Sequence, residues 1–158
     1  MSVPKVREFL EPKGFADRIV IHDEPCDTVP NAAHIVGATE AEIAKTMSFL
    51  VDDQPIVIVT TGDTKIDNAK YKAFFHKKCK MVPWDEVNDI IGHEPGGVCS
   101  FGVNPGVKAY LDVQLKRFPI VHSAAGAPEA TISLSPEELE EILSPVEWID
   151  VCKGIESA

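Results

Sequence analysis

Between Gly92 and Gly106 the chain places five of its ten glycines and two prolines within fifteen residues. Glycine admits φ > 0 and lets the backbone approach another group closely, at an entropic cost that a plain connector has no need to bear. A regular helix or strand cannot run through such a segment, and its flanks are well patterned. It is therefore expected to shape a small-molecule pocket. Backbone N–H groups presented by a loop of this kind can hold a developing oxyanion, as acyl transfer requires. Neither G-x-x-x-x-G-K-[ST] nor G-x-G-x-x-G occurs anywhere in the chain, which turns the reading away from a phosphate-cradling loop. A second small-residue segment, Ser123-Ala124-Ala125-Gly126, is equally readable as another pocket wall or as a tight turn kept small for packing.

The flanking elements follow from periodicity and end signals. Val3 to Lys13 reads as an amphipathic helix closed by Gly14, and Arg18 to His22 as a brief strand. Thr28 caps a small-residue helix over Val29 to Val36 that stops at Gly37, and Thr39 with Glu42 forms a capping box for another short helix. Lys45 to Val51 and Pro55 to Thr61 are β-rich and joined by Asp52-Asp53-Gln54, a hairpin. Helices are expected over Asp67 to Phe75 and Trp84 to Ile91, with a short strand at Lys80 to Val82 between them. Strands follow near Val107–Leu111, Phe118–Val121 and Ala130–Leu134. Ser135-Pro136-Glu137-Glu138 then starts the last helix, with proline at its first position and acids at its positive end. No repeat or linker divides the 158 residues. The expected fold is a single α/β domain, a mixed sheet surrounded by helices.

A net charge of −10 argues against holding nucleic acid by bulk electrostatics, so DNA is not an expected partner. Residues 65 to 80, however, hold six lysines against Asp67 alone, a net of +5 on a body that is otherwise −15. Lys65, Lys70, Lys72, Lys77 and Lys78 could meet a few phosphates, or simply form a solvated face. Apolar runs such as Ile56–Val59 are far too short for a bilayer, and no membrane association is expected. With no export signal and no paired spacing among Cys26, Cys79, Cys99 and Cys152, the cysteines are expected as reduced thiols of a cytoplasmic protein.

Lys45 stands out among candidate catalytic residues. In a strand it shares a face with Met47, Phe49 and Val51. A lysine at the head of an apolar stripe either snorkels to water or waits at a pocket mouth for an anionic or carbonyl oxygen. His93 and His122 could reach a shared site, although a structural histidine is the commoner case. His76 and Cys79 have no second pair at zinc spacing, so neither a metal nor any other cofactor is expected. There is no G-x-S-x-G elbow, and Cys99 is most simply a small buried loop residue.

Six segments in order carry a resemblance: 28–37 (Thr-Val-Pro-Asn-Ala-Ala-His-Ile-Val-Gly), 43–49 (Ile-Ala-Lys-Thr-Met-Ser-Phe), 55–63 (Pro-Ile-Val-Ile-Val-Thr-Thr-Gly-Asp), 92–102, 110–115 (Tyr-Leu-Asp-Val-Gln-Leu) and 124–126. From about Ala16 to Leu143 the chain resembles the YbaK/EbsC family of aminoacyl-tRNA deacylases, whose fold is also that of the editing domain inserted in bacterial-type prolyl-tRNA synthetases.

The resemblance implies a free-standing enzyme that hydrolyses the ester of a mischarged aminoacyl-tRNA, with a synthetase such as prolyl-tRNA synthetase as a candidate partner. It places the family's lysine on Lys45. The loop that binds the aminoacyl end falls on Gly96, Gly97, Val98, Cys99, Ser100, Phe101 and Gly102. The small-residue pocket segment falls on Ala124, Ala125 and Gly126, beside Ser123. An aminoacyl ester is already activated, so positioning and backbone donors can supply much of the rate. The chain departs from the family pattern at Ser100, where proline is usual, and at Ala124, where Ser-Ala-Gly normally begins. Both departures bear on which amino acid is recognised. The other function class compatible with these residues is a non-catalytic module that binds an amino acid or aminoacyl group.

Overall fold

The computed structural model describes residues 2–26, 28–93, 98–144 and 147–154. In chain order the elements are α1 (Ser2–Leu10), β1 (Val20–Ile21), α2 (Val29–Val36), β2 (Ile43–Val51), β3 (Gln54–Thr61), β4 (Lys65–Ile66), α3 (Asn68–Phe75), α4 (Val87–Ile91), β5 (Lys108–Asp112), β6 (Val121–Ala124), β7 (Ala130–Leu134), α5 (Pro136–Leu143), β8 (Glu147–Ile149) and β9 (Cys152–Lys153). Short 3-10 turns precede or follow several of them, at 11–13, 16–18, 40–42, 84–86 and 113–117.

Seven strands form one mixed sheet in the order β1-β7-β6-β2-β3-β5-β8, and β4 pairs with β9 in a separate ribbon. Its centre is the β2–β3 hairpin, paired without interruption from Ala44↔Thr61 to Val51↔Gln54. Asp52 and Asp53 turn it with φ of 50° and 65°. Two left-handed residues in succession match the twist of a tight hairpin, and aspartate tolerates that conformation better than most side chains. β6 and β5 then join this hairpin in parallel, one on each side.

Residues paired across a sheet share a face. On one face Ala44, Val59, Leu111 and Val121 pack beneath α1 and α5, against Val6, Leu10, Leu139 and Ile142. On the other, Phe49, Ile56, Ile58 and Tyr110 meet Tyr71 of α3 and the chain that follows β8. α2 extends the cover on this second face, laying Ala32 and Ala33 against Ile43. Its ends are where the sequence places them. Thr28 Oγ1 accepts from Asn31 N at 3.2 Å, and Gly37 closes the helix at φ 74°.

Three expectations need correction. The strand expected at Phe118–Val121 begins at Val121, because Pro119 has no N–H to give to a ladder. The segment Lys80–Val82 makes only an isolated bridge, Met81 to Phe49. α5 is not the last element: β8 and β9 follow it, the first as a parallel edge strand on β5. Asp112 ties that C-terminal stretch down, its two carboxylate oxygens accepting from Gln114 N and Val151 N at 3.0 Å each.

Candidate active site

Among the described residues, the central strand β2 has a gap along one edge. β6 covers it only at Ile43 and Ala44. Farther along, Ser48 O accepts from Val82 N at 3.2 Å, and Leu50 N donates to Lys80 O at 2.9 Å. Backbone groups alternate between the two edges of a strand, so Thr46 also directs its N–H and C=O toward this edge, in the stretch between the two covers. A cavity of about 490 Å³ opens there, the size of a small-molecule site.

Each wall comes from a separate piece of chain. Val29, Ala32 and Val36 of α2 form an apolar side, while Met81 and Trp84 stand on the segment that leads into α4. Lys45 to Ser48 run along the floor, and His122, Ser123 and Ala124 close it where β6 parts from β2. The small side chains of α2 are what allow this helix to lie so near the sheet.

Lys45 is the cation of the wall. Its Nζ donates to the carbonyl of Thr64 at 2.5 Å, and the side chain is half-buried. Burial holds the ammonium below the ordinary lysine pKa, partly offset by the nearby carboxylate of Asp63. Cys152 is a fully buried thiol pushed up to about 12 by desolvation, so it is neutral beside the lysine. An ammonium has three donors. With one on Thr64, two remain for an oxygen placed in the cavity.

The turn that carries Thr64 is built stiffly. Gly62 passes so close to α2 and the 40–42 turn that a Cβ there would lie 2.1 Å from Glu40 O and 2.7 Å from Val29 Cγ1. Asp63 is gripped by Arg117, whose Nη2 reaches its two oxygens at 2.8 and 3.0 Å. Burial would raise the Asp63 pKa, but the bonds from Arg117 and Thr61 outweigh it and hold the carboxyl below its ordinary value. The acceptor of Lys45 is thus fixed by residues distant in sequence.

The other titratable groups are quiet. His122 lines the cavity and shares a 2.7 Å hydrogen bond between Nδ1 and Ser133 Oγ. Burial lowers its pKa, with Glu42 opposing. His93 lies apart from the cavity, its Nε2 donating to Phe101 O at 2.6 Å. Cys99 Sγ is 3.6 Å from the same nitrogen, but burial pushes that thiol up to about 12. A nucleophilic cysteine needs its pKa depressed. The pair has the opposite electrostatics and serves as core.

Of the residues singled out in the sequence, the fold brings Lys45, Val98, His122, Ser123 and Ala124 to one cavity. It buries Cys99, Ser100, Phe101 and Ala125 in the protein interior, and it sets Gly102 and Gly126 at turns with φ of 64° and 99°. Gly96 and Gly97 lie outside the described residues. Lys65 stands on β4, Lys70 and Lys72 on α3, and Lys77 and Lys78 just beyond it. Lys70 is tied to Asp150 at 3.1 Å and Lys77 to Asp52 at 3.2 Å. Met81, Trp84 and the α2 wall were not foreseen. Their signal was available only as a small-residue helix and an isolated tryptophan.

Known proteins resemble this chain in sequence and fold. The family described as "Aminoacyl-tRNA editing domain" matches residues 23–142. "Uncharacterized protein YwhH" of Bacillus subtilis is 41% identical over 157 residues, covering 99% of this chain and 100% of that protein. Proline--tRNA ligase of Bacillus pumilus is 27% identical over 124 residues, which are 78% of this chain but only 22% of the ligase. A crystal structure described as "a putative trans-editing enzyme for prolyl tRNA synthetase" superposes with a TM-score of 0.88 at 28% identity, covering 97% of this chain and 98% of the other. With the mixed sheet, the parted β2 edge and this match over most of its length, the chain belongs to the aminoacyl-tRNA editing domain family.

Proposed function

We propose that this protein hydrolyses, in trans, the ester of a mischarged aminoacyl-tRNA bearing a small amino acid such as cysteine or alanine. The observation that carries the reading is Lys45, a half-buried ammonium on the wall of a mainly apolar cavity, next to a stretch of strand edge that no described strand pairs. Water attacks the ester carbonyl, the carbonyl oxygen takes up negative charge, and collapse of the intermediate frees the amino acid and returns a proton to the ribose hydroxyl. Lys45 binds the carbonyl oxygen or the phosphate of the terminal nucleotide through its two remaining N–H groups. Thr46 N–H is a second candidate donor for the oxyanion. The α2 wall and Ala124 limit the side chain that fits, which favours small amino acids. No buried acid–base pair is required, because the ester is activated and donors placed in advance stabilise the charge where it develops.

The test is deacylation of tRNAs charged with cysteine, alanine, serine or proline, by wild type and by Lys45→Ala, with and without prolyl-tRNA synthetase. Wild type should release one of the amino acids, and the variant should be slower by about 10²–10³-fold, the effect of deleting one oxyanion donor. Hydrolysis of none of the four by wild type would instead favour a module that only binds the aminoacyl group.

A further inference from the structure

Trp84 takes no part in the chemistry just described, yet it stands at the cavity. It is 73% exposed, the highest value among the large hydrophobic residues described, and Met81 is 55% exposed. Both line the cavity whose floor carries Lys45. No aromatic ring or cation stacks on the indole among the described residues.

The backbone that carries the indole is anchored on both sides. Pro83 precedes it in an extended conformation (φ −58°, ψ 142°), and Val87 and Ile91 of α4 are buried one and two turns later. On the other side, Val82 N and Lys80 O are bonded to β2. A solvent-facing aromatic side chain on an anchored backbone has only its own rotamers to fix when a planar group settles on it.

Charge says which planar group. Lys77, Lys78 and Lys80 lie within five residues before Met81 and are exposed. Lys77 is joined to Asp52, while Lys78 and Lys80 make no ion pair with described residues. Asp85 and Glu86 are exposed just after Trp84. A polyanion crossing the indole is therefore drawn toward the lysine side and repelled from the other. An aromatic face with cations along one flank is how proteins hold single-stranded nucleic acid.

We infer that Trp84 is a stacking platform for the terminal base of the tRNA acceptor end, the base on the same ribose as the aminoacyl group. Met81 supports its edge, and Lys78 and Lys80 face the preceding phosphates. The inference rests on the editing reading, which puts the aminoacyl group inside the cavity and so leaves the base at its rim.

The experiment has two arms. In the first, deacylation kinetics are compared for wild type, Trp84→Ala and Trp84→Phe. Stacking of one base is worth about 1–3 kcal/mol, so KM should rise about 5- to 150-fold in Trp84→Ala, with kcat within about twofold, and Trp84→Phe should restore most of the loss. In the second, the trinucleotide CCA and its analogue lacking the 3′ base are titrated against tryptophan fluorescence. The signal of Trp84 is taken as the difference between wild type and Trp84→Phe.

Saturable quenching by CCA but not by the abasic analogue supports the platform. An unchanged KM in Trp84→Ala, or equal quenching by both trinucleotides, overturns it while leaving the editing reading intact. If wild type deacylates nothing, the editing reading falls, and the fluorescence arm alone decides the platform. No quenching in that case removes it too.

Discussion

A lysine ammonium kept partly out of water is a poor choice for stability and a good one for binding an anion. Burial depresses the folded-state pKa of Lys45, so the folded protein holds fewer protons than the unfolded chain in the interval just below the ordinary lysine value. Stability should therefore rise with pH through that window, while the enzyme-catalysed excess over spontaneous ester hydrolysis falls as the ammonium is lost. Opposite pH trends in urea midpoint and in catalysed rate, both flattened in Lys45→Met, would tie the two effects to this residue. Loss of activity with an unchanged alkaline profile would not. Arg117 acts one step away, on the carboxylate of the turn that carries Thr64. Arg117→Ala should lower stability by about 1.5–3 kcal/mol, as for hydrogen bonds to charged groups, and reduce kcat more than it changes KM. The role of Lys45 as a half-buried cation was legible from its place at the head of an apolar stripe. Thr64, Asp63, Cys152 and Arg117 were not, because they reach it through the return of β3 and the docking of the C-terminal strand, pairings that sequence separation conceals.

Elements place the cavity by what they fail to cover. β2 is met by β6 at one end and by the backbone of 80–82 at the other, so its exposed length depends on how both neighbours are anchored. A separate close approach, that of the end of β3 to α2, is set at Gly62. Gly62→Ala would press a methyl against Glu40 O and should lower stability by about 1–3 kcal/mol, the usual effect of overpacking, visible as a reduced thermal midpoint. An unaffected midpoint would mean that the turn has room the backbone does not show. Thr28→Ala should lower stability by about 1 kcal/mol through the lost cap of α2. Caps, hairpin and helices were readable because each has a local signal: Thr28, Asp52-Asp53, the Ser135-Pro136 start. β4, β8 and β9 are two or three residues long. At that length alternation has no period to show, and their strand character comes from the partner. The glycine segment was expected to supply the pocket wall directly. Of its described residues only Val98 lines the cavity, while Cys99 and Phe101 turn inward to the core.

At the scale of the whole molecule, an acidic body carries six of its twelve lysines on one stretch, and two of those six are already engaged with Asp52 and Asp150. Reversing Lys65, Lys72 and Lys78 to glutamate spares those ion pairs. The triple variant should weaken tRNA binding and make the slope of log K against log salt shallower by about 1 for each lysine that meets a phosphate. An unchanged slope would remove the patch from the binding surface. Sequence similarity to this chain spans 22% of a proline--tRNA ligase and the full length of a B. subtilis protein. The short uncovered run of β2 has one more consequence. Bare strand edges invite other chains to add a strand and begin aggregating. Here the opening is only about one residue pair wide, recessed in a cavity, and blocked at both ends by strand and turn. It can admit a small group but cannot seed a ladder, so the protein can keep reactive backbone available in its central strand without becoming adhesive to its own kind.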